Sequence, residues 1–149
     1  MTYKHTQTGW LTLSMCGALL ALLVVVSAHV PEARARLIPV CVGAPLVVLV
    51  MVLFGSLTVT VNDDLVTVQF GPGIIRKKIS LADVTSCEPA RNRWWWGWGI
   101  RLIPGGWLYN VSGLDAVELK TKSGRTFRIG TDEPRRLAEF IQAKRSKIV

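Results

Sequence analysis

Two stretches without a charged side chain constrain this chain more than anything else in it. Trp10 to Ala28 is an apolar run with no charge, and about 19 residues of helix measure about 28 Å, close to the hydrocarbon thickness of a bilayer. Leu37 to Phe54 is uncharged over about 18 residues, just sufficient to cross. The connector between them, His29 to Arg36, is so short that the two runs must lie antiparallel. Neither run carries the polar stripe of a helix packed on a soluble core. The sequence therefore predicts a two-helix transmembrane hairpin over residues 1–54, with spans at about 10–28 and 37–54 and Trp10 as an interfacial anchor. Pro39 falls in a first turn, where proline is tolerated. Gly43 and Pro45 mark a kink or a close helix-packing surface. Two rival readings are a pair of buried core helices and a cleaved signal peptide, with Lys4 before the apolar run and Val26-Ser27-Ala28 resembling a cleavage site. The length of the first run and the second run so soon after it favour the hairpin.

An even number of crossings leaves both chain ends on one side. Lys4 and the amino group on one side nearly balance Arg34 and Arg36 on the other, so charge near the helices decides little. The remainder of the chain does carry a bias. Fifteen of the 18 lysines and arginines, but nine of the 10 acids, follow Gly55, leaving a formal excess of about six positive charges there. Such a surface suits anionic partners, of which lipid is the nearest for an anchored domain. This excess and the unpaired Cys87 point to a multi-pass cell-membrane protein with its C-terminal domain in the cytoplasm.

After Gly55 the pattern changes to short β-runs with turn punctuation. Leu57–Val61 and Leu65–Phe70 alternate around Asn62-Asp63-Asp64, which reads as a hairpin. Gly71-Pro72-Gly73 turns into Ile74–Ile79. Further strands are read at Trp107–Val111, Val117–Thr121 and Thr126–Ile129. Gly130-Thr131-Asp132-Glu133-Pro134 then announces a helix, with Leu137, Phe140 and Ile141 along one stripe. About seven short strands closed by a terminal helix predict a mainly-β barrel over 55–149.

Arg91-Asn92-Arg93-Trp94-Trp95-Trp96-Gly97-Trp98-Gly99-Ile100-Arg101 holds four of the six tryptophans. As a strand it would put Trp94, Trp96 and Trp98 on one face. A small barrel has little room for four indoles, so the stretch is read partly as core and partly as contact surface. Arg91, Arg93, Trp94, Trp95, Trp98, Arg101 and Trp107 are the candidates for membrane or partner contact, since indole and guanidinium both suit a membrane–water interface. Stacking of cation on ring inside the fold is the alternative. Arg76, Lys77 and Lys78 lie in a strand whose period sends them to both faces. They read as a charge-protected edge, or as anionic-lipid contacts worth about 1 kcal/mol each.

Nothing in the chain suggests catalysis, a metal or a cofactor. Cys16, Cys41 and Cys87 lack ligand spacing and read as small buried apolar residues, and His5 and His29 have no partner at ligand spacing. No nucleophile elbow, zinc-protease motif or phosphate loop occurs. Nucleic acid is an unsuitable partner for a chain with two membrane helices.

The phrases Gly97-Trp98-Gly99-Ile100-Arg101, Tyr109-Asn110-Val111-Ser112-Gly113, Ala116-Val117-Glu118-Leu119 and Ile129-Gly130-Thr131-Asp132-Glu133-Pro134 resemble those of bacterial membrane proteins with pleckstrin-homology (PH)-like domains and two N-terminal transmembrane helices. The resemblance covers roughly residues 55–145 and implies a PH-like barrel, with homo-oligomer formation as a further expectation. It departs from the inositide-binding members, because the hairpin Leu57–Phe70 has no basic residue and carries Asp63-Asp64 at its tip. The expected function is a membrane-anchored binding or scaffolding module, self-associating or docking an unidentified protein partner at the lipid bilayer. The alternatives are an accessory subunit of a transport or secretion complex, and an anionic-lipid-sensing domain.

Overall fold

The computed structural model describes residues 2–147, and the side chains of all of these except Ala33, Arg34 and Arg36. The connector arginines weighed for orientation therefore lie outside the described side chains. The chain begins with a strand, β1 (Tyr3–Thr8), and continues into helix α1 (Trp10–His29). The return path is helical but interrupted: α2 (Ala33–Ile38), a π-helical turn (Pro39–Gly43) and α3 (Ala44–Phe54). Strands β2 (Ser56–Val61), β3 (Leu65–Phe70), β4 (Ile75–Ser80), β5 (Val84–Arg91), β6 (Gly99–Ile103), β7 (Gly106–Asn110), β8 (Asp115–Thr121) and β9 (Thr126–Gly130) follow, and α4 (Pro134–Arg145) ends the fold.

α1 is one uninterrupted helix of 20 residues, long and apolar enough to cross a membrane. Its two serines are satisfied along the helix. Ser14 Oγ donates to the Trp10 carbonyl at 2.8 Å and Ser27 Oγ to the Leu23 carbonyl at 2.6 Å, so no hydroxyl needs water. The second predicted span is not such a helix. Proline has no N–H, so Pro39 and Pro45 leave the Ala35 and Cys41 carbonyls without their usual partners, and the winding loosens to π between them. The apolar helix that remains, Pro39–Phe54, is below span length. The expectation of two transmembrane helices is corrected to one helix of that length among the described residues, paired with a broken return. The two arms pack through Gly43, where a Cβ would stand 3.2 Å from Leu23 Cδ1.

The predicted single barrel of about seven strands is also corrected. Among the described residues nine strands form two open sheets, ordered β1-β2-β3-β4 and β5-β8-β9-β7-β6. Every pair is antiparallel except β7 with β9, and a simple up-and-down meander contains no such parallel pair. Closure fails because β4 and β6 each end a sheet. The two sheets enclose one core, with Leu57, Val66, Phe70, Val117, Leu119 and Ile129 at most 1% exposed. α4 closes an end of it with Leu137, Ala138 and Ile141.

The most consequential unpredicted element is β1, which precedes the first apolar run. It pairs with β2 from Tyr3↔Val61 to Thr8↔Ser56, buries Tyr3 and Gln7, and leaves Lys4, Thr6 and Thr8 outside. Cleavage after Ala28 would remove this strand from its sheet, so the signal-peptide reading conflicts with the fold. Because β1 precedes the helical hairpin and β2 follows it, both arms leave the β body at one place, the Thr8–Ser56 end.

Candidate functional site

At that end three segments surround the helix base. The turn between β3 and β4 presses on α3: Gly71 has φ +49°, and a Cβ there would overlap the Val52 carbonyl. The segment after β7 lies under α1, where Thr12 Oγ1 donates to the Val111 carbonyl at 3.3 Å. The third is the tryptophan stretch, whose Gly97, Trp98, Gly99 and Arg101 line a cleft of about 600 Å³ together with Thr12 and Met15 of α1.

The tryptophan stretch is not the single strand predicted for it. Trp94–Trp96 form a 3₁₀ turn that ends at Gly97 (φ +71°), and β6 starts only at Gly99 (φ +91°). Two positive-φ positions flanking Trp98 need glycine, and they break the alternation. The rings consequently have separate roles. Trp94 is 70% and Trp95 58% exposed, set edge to face at 5.8 Å. Trp96 is half-buried beneath two guanidinium groups, Arg128 at 4.8 Å and Arg93 at 5.9 Å from the ring centre. Arg93 also lies 5.3 Å from Trp95. Trp98 is pinned by its indole N–H to the Gly113 carbonyl at 3.2 Å, and Arg101 Nε donates back to the Trp98 carbonyl at 3.1 Å. Arg91 is exposed at the end of β5, where its carbonyl accepts from Arg128.

Trp107 stands apart from this turn. It sits on β7 opposite Leu102 of the edge strand β6, and the two are 41% and 74% exposed. Trp107 lines a cleft of about 340 Å³ between β4 and β6–β7. The basic run splits as its period requires: Ile75, Lys77 and Ile79 turn inward while Arg76 and Lys78 face out. Arg76 Nε bonds the Gly73 carbonyl and braces its own turn. Lys77 points across to Phe127, 5.4 Å from the ring centre. Of the helix-packing candidates, Gly43 is used between α1 and the return arm, and Pro45 is exposed.

Two groupings escaped the sequence reading. Lys122 and Arg125, in the turn between β8 and β9, share a groove of about 460 Å³ with Lys77 and Lys78. The only local hint is that this turn contains no acid. His5, on the unpredicted β1, meets Asp132 at 2.5 Å, beside Tyr3, whose hydroxyl donates to Glu133. Burial first, and Glu133 second, push the Tyr3 hydroxyl up to about 12. Cys87 is buried, as expected of it, and burial pushes its thiol up to about 12. Cys41 differs from expectation in being exposed on the return helix. Among the described residues no group of three or more His, Cys, Asp or Glu side chains is placed to hold a metal ion.

No protein-family model matches the chain, and no curated protein is similar to it.

Proposed function

We propose that this chain is a membrane-tethered binding module. Helix α1 is its anchor, and the two-sheet body, held at the bilayer surface, docks a protein partner or a second copy of itself. One observation carries the reading: the exposed Trp94 and Trp95, with Arg93, belong to the same loop that lines the cleft against the base of the helices. Amphipathic rings and guanidinium groups at the exit of an apolar helix match the composition of the membrane–water boundary. The open edges β4 and β6 supply unpaired backbone for a docking strand. The basic excess and the buried free thiol of Cys87 favour the cytoplasmic face. The use of Gly43 inside the hairpin weighs against the alternative of an accessory subunit recognised through that surface.

The test is the mass of the full chain in mild detergent, with and without Trp94→Ser/Trp95→Ser. A defined oligomer that the double variant weakens supports self-docking through this face. A monomer that captures no partner from solubilised membranes contradicts the module reading.

A further inference from the structure

Three clefts run in series from the helix base to the far end of the β body. The first, about 600 Å³, has Met15, Val50, Phe54 and Ile100 as apolar walls. The second, about 340 Å³, shares Ile100 with it and continues along Phe70, Ile75, Tyr109 and Trp107. The third, about 460 Å³, shares Lys77 with the second and is dominated by Lys77, Lys78, Lys122 and Arg125 around a single carboxylate, Asp83. Arg101 edges the first cleft and Arg76 the second, so the cationic share of the lining rises from the first cleft to the third.

Charge and position both narrow what fits. Among the described residues none of these four cations makes an ion pair. Like charges gathered round one groove repel, and an anion between them relieves that repulsion. The groove's walls also offer the hydroxyls of Ser80 and Ser123. The bilayer surface is a poor source for the anion. β4 leaves the helix base at Ile75 and borders the groove from Lys77 to Ser80, about 7 to 16 Å away at about 3.3 Å per residue. Inorganic phosphate would leave the adjoining apolar clefts without a purpose.

We propose that the track binds an anionic single-chain amphiphile, its acyl chain in the two apolar clefts and its phosphate among Lys77, Lys78, Lys122 and Arg125. The orientation is that of a molecule drawn up from the membrane, tail toward the helices and head away from them. The proposal rests on the membrane-tethered reading above and names a ligand for that module. Lys122 and Arg125 are exposed turn residues, so their removal leaves the core packing intact.

The experiment is equilibrium binding of radiolabelled oleoyl-lysophosphatidic acid to the full chain in a nonionic detergent, competed with monoolein and with inorganic phosphate. Thermal melting of every variant serves as the folding control. Saturable one-to-one binding is expected, weakened about tenfold or more by Lys122→Gln/Arg125→Gln and again by Lys77→Gln, on the scale of one to two charge-assisted contacts. Neither competitor should displace the probe at equal concentration. Absence of saturable binding overturns the proposal, as does unchanged binding by the variants. Displacement by inorganic phosphate would make this a free-phosphate site, and displacement by monoolein a charge-blind apolar surface; either overturns it. Binding is measured without a bilayer, so its failure is separable from failure of the tether, which vesicle flotation reads.

Discussion

Gly9 donates its backbone N–H to the Gly55 carbonyl at 2.8 Å, joining the residue before α1 to the residue after α3. This one bond closes the helical hairpin where it meets the sheets. A Cβ on Gly9 would stand 3.0 Å from the Phe54 carbonyl oxygen and 3.2 Å from both the Gly55 oxygen and Val111 Cβ. Gly9→Val is expected to cost about 1–3 kcal/mol by overpacking this junction. Thermal melting in detergent reads it, and an unchanged midpoint would show that the junction yields freely.

Tyr3 ties the amino terminus into the fold. Its ring packs 5.5 Å from Phe140 of α4, on a strand paired along its whole length with β2. Tyr3→Ala should destabilise the body by about 3 kcal/mol, the scale of a buried ring deleted. A loss under about 1 kcal/mol, the size of an ordinary surface change, would demote β1 to an ornament.

The three consecutive tryptophans should separate in a mutant series. Trp94→Ser and Trp95→Ser each shift stability by no more than about 0.5 kcal/mol, because the rings are largely exposed. Trp96→Ser should cost about 1–2 kcal/mol, since Arg93 and Arg128 both lose a stacking partner. Equal costs at all three positions would contradict the division of roles.

Alkaline titration probes the buried thiol. Cys87 holds its proton in the folded chain to about 12, against an ordinary value of 9.0, with burial as the main cause. The folded state therefore binds more protons than the unfolded state within that window, and stability falls as pH rises. The contribution is whole below pH 9.0 and lost on approach to about 12. Tyr3 adds a similar fall from 10.0 to about 12. Cys87→Ala should flatten the decline of the melting midpoint over this range. A slope identical to that of the parent chain would remove Cys87 from the account.

Local chemistry was the readable part of this fold. The β2–β3 hairpin around Asn62-Asp63-Asp64, the Gly71-Pro72-Gly73 turn and the α4 stripe of Leu137 and Ile141 all lie where the sequence indicates. The misreadings have physical causes. β1 alternates Tyr3, His5 and Gln7 inward, and only one of these is apolar, so no hydrophobic period announces a strand. Glycine freedom at Gly97 and Gly99 lets Trp94–Trp96 coil where a period of two suggested extension. Pro39 and Pro45 break a helix whose apolar composition is unbroken. The parallel β7–β9 pair joins segments whose partnership no local pattern records. For the same reason the grouping of Lys77 and Lys78 with Lys122 and Arg125 is a product of sheet order and not of spacing.

The seating of α1 in a bilayer is tested most directly by floating the full chain with neutral phosphatidylcholine vesicles at high salt, where purely electrostatic attachment is screened. The account predicts that the chain rises with the vesicles and returns to solution only with detergent. A chain that stays at the bottom of the gradient, dissolved without detergent, would contradict it.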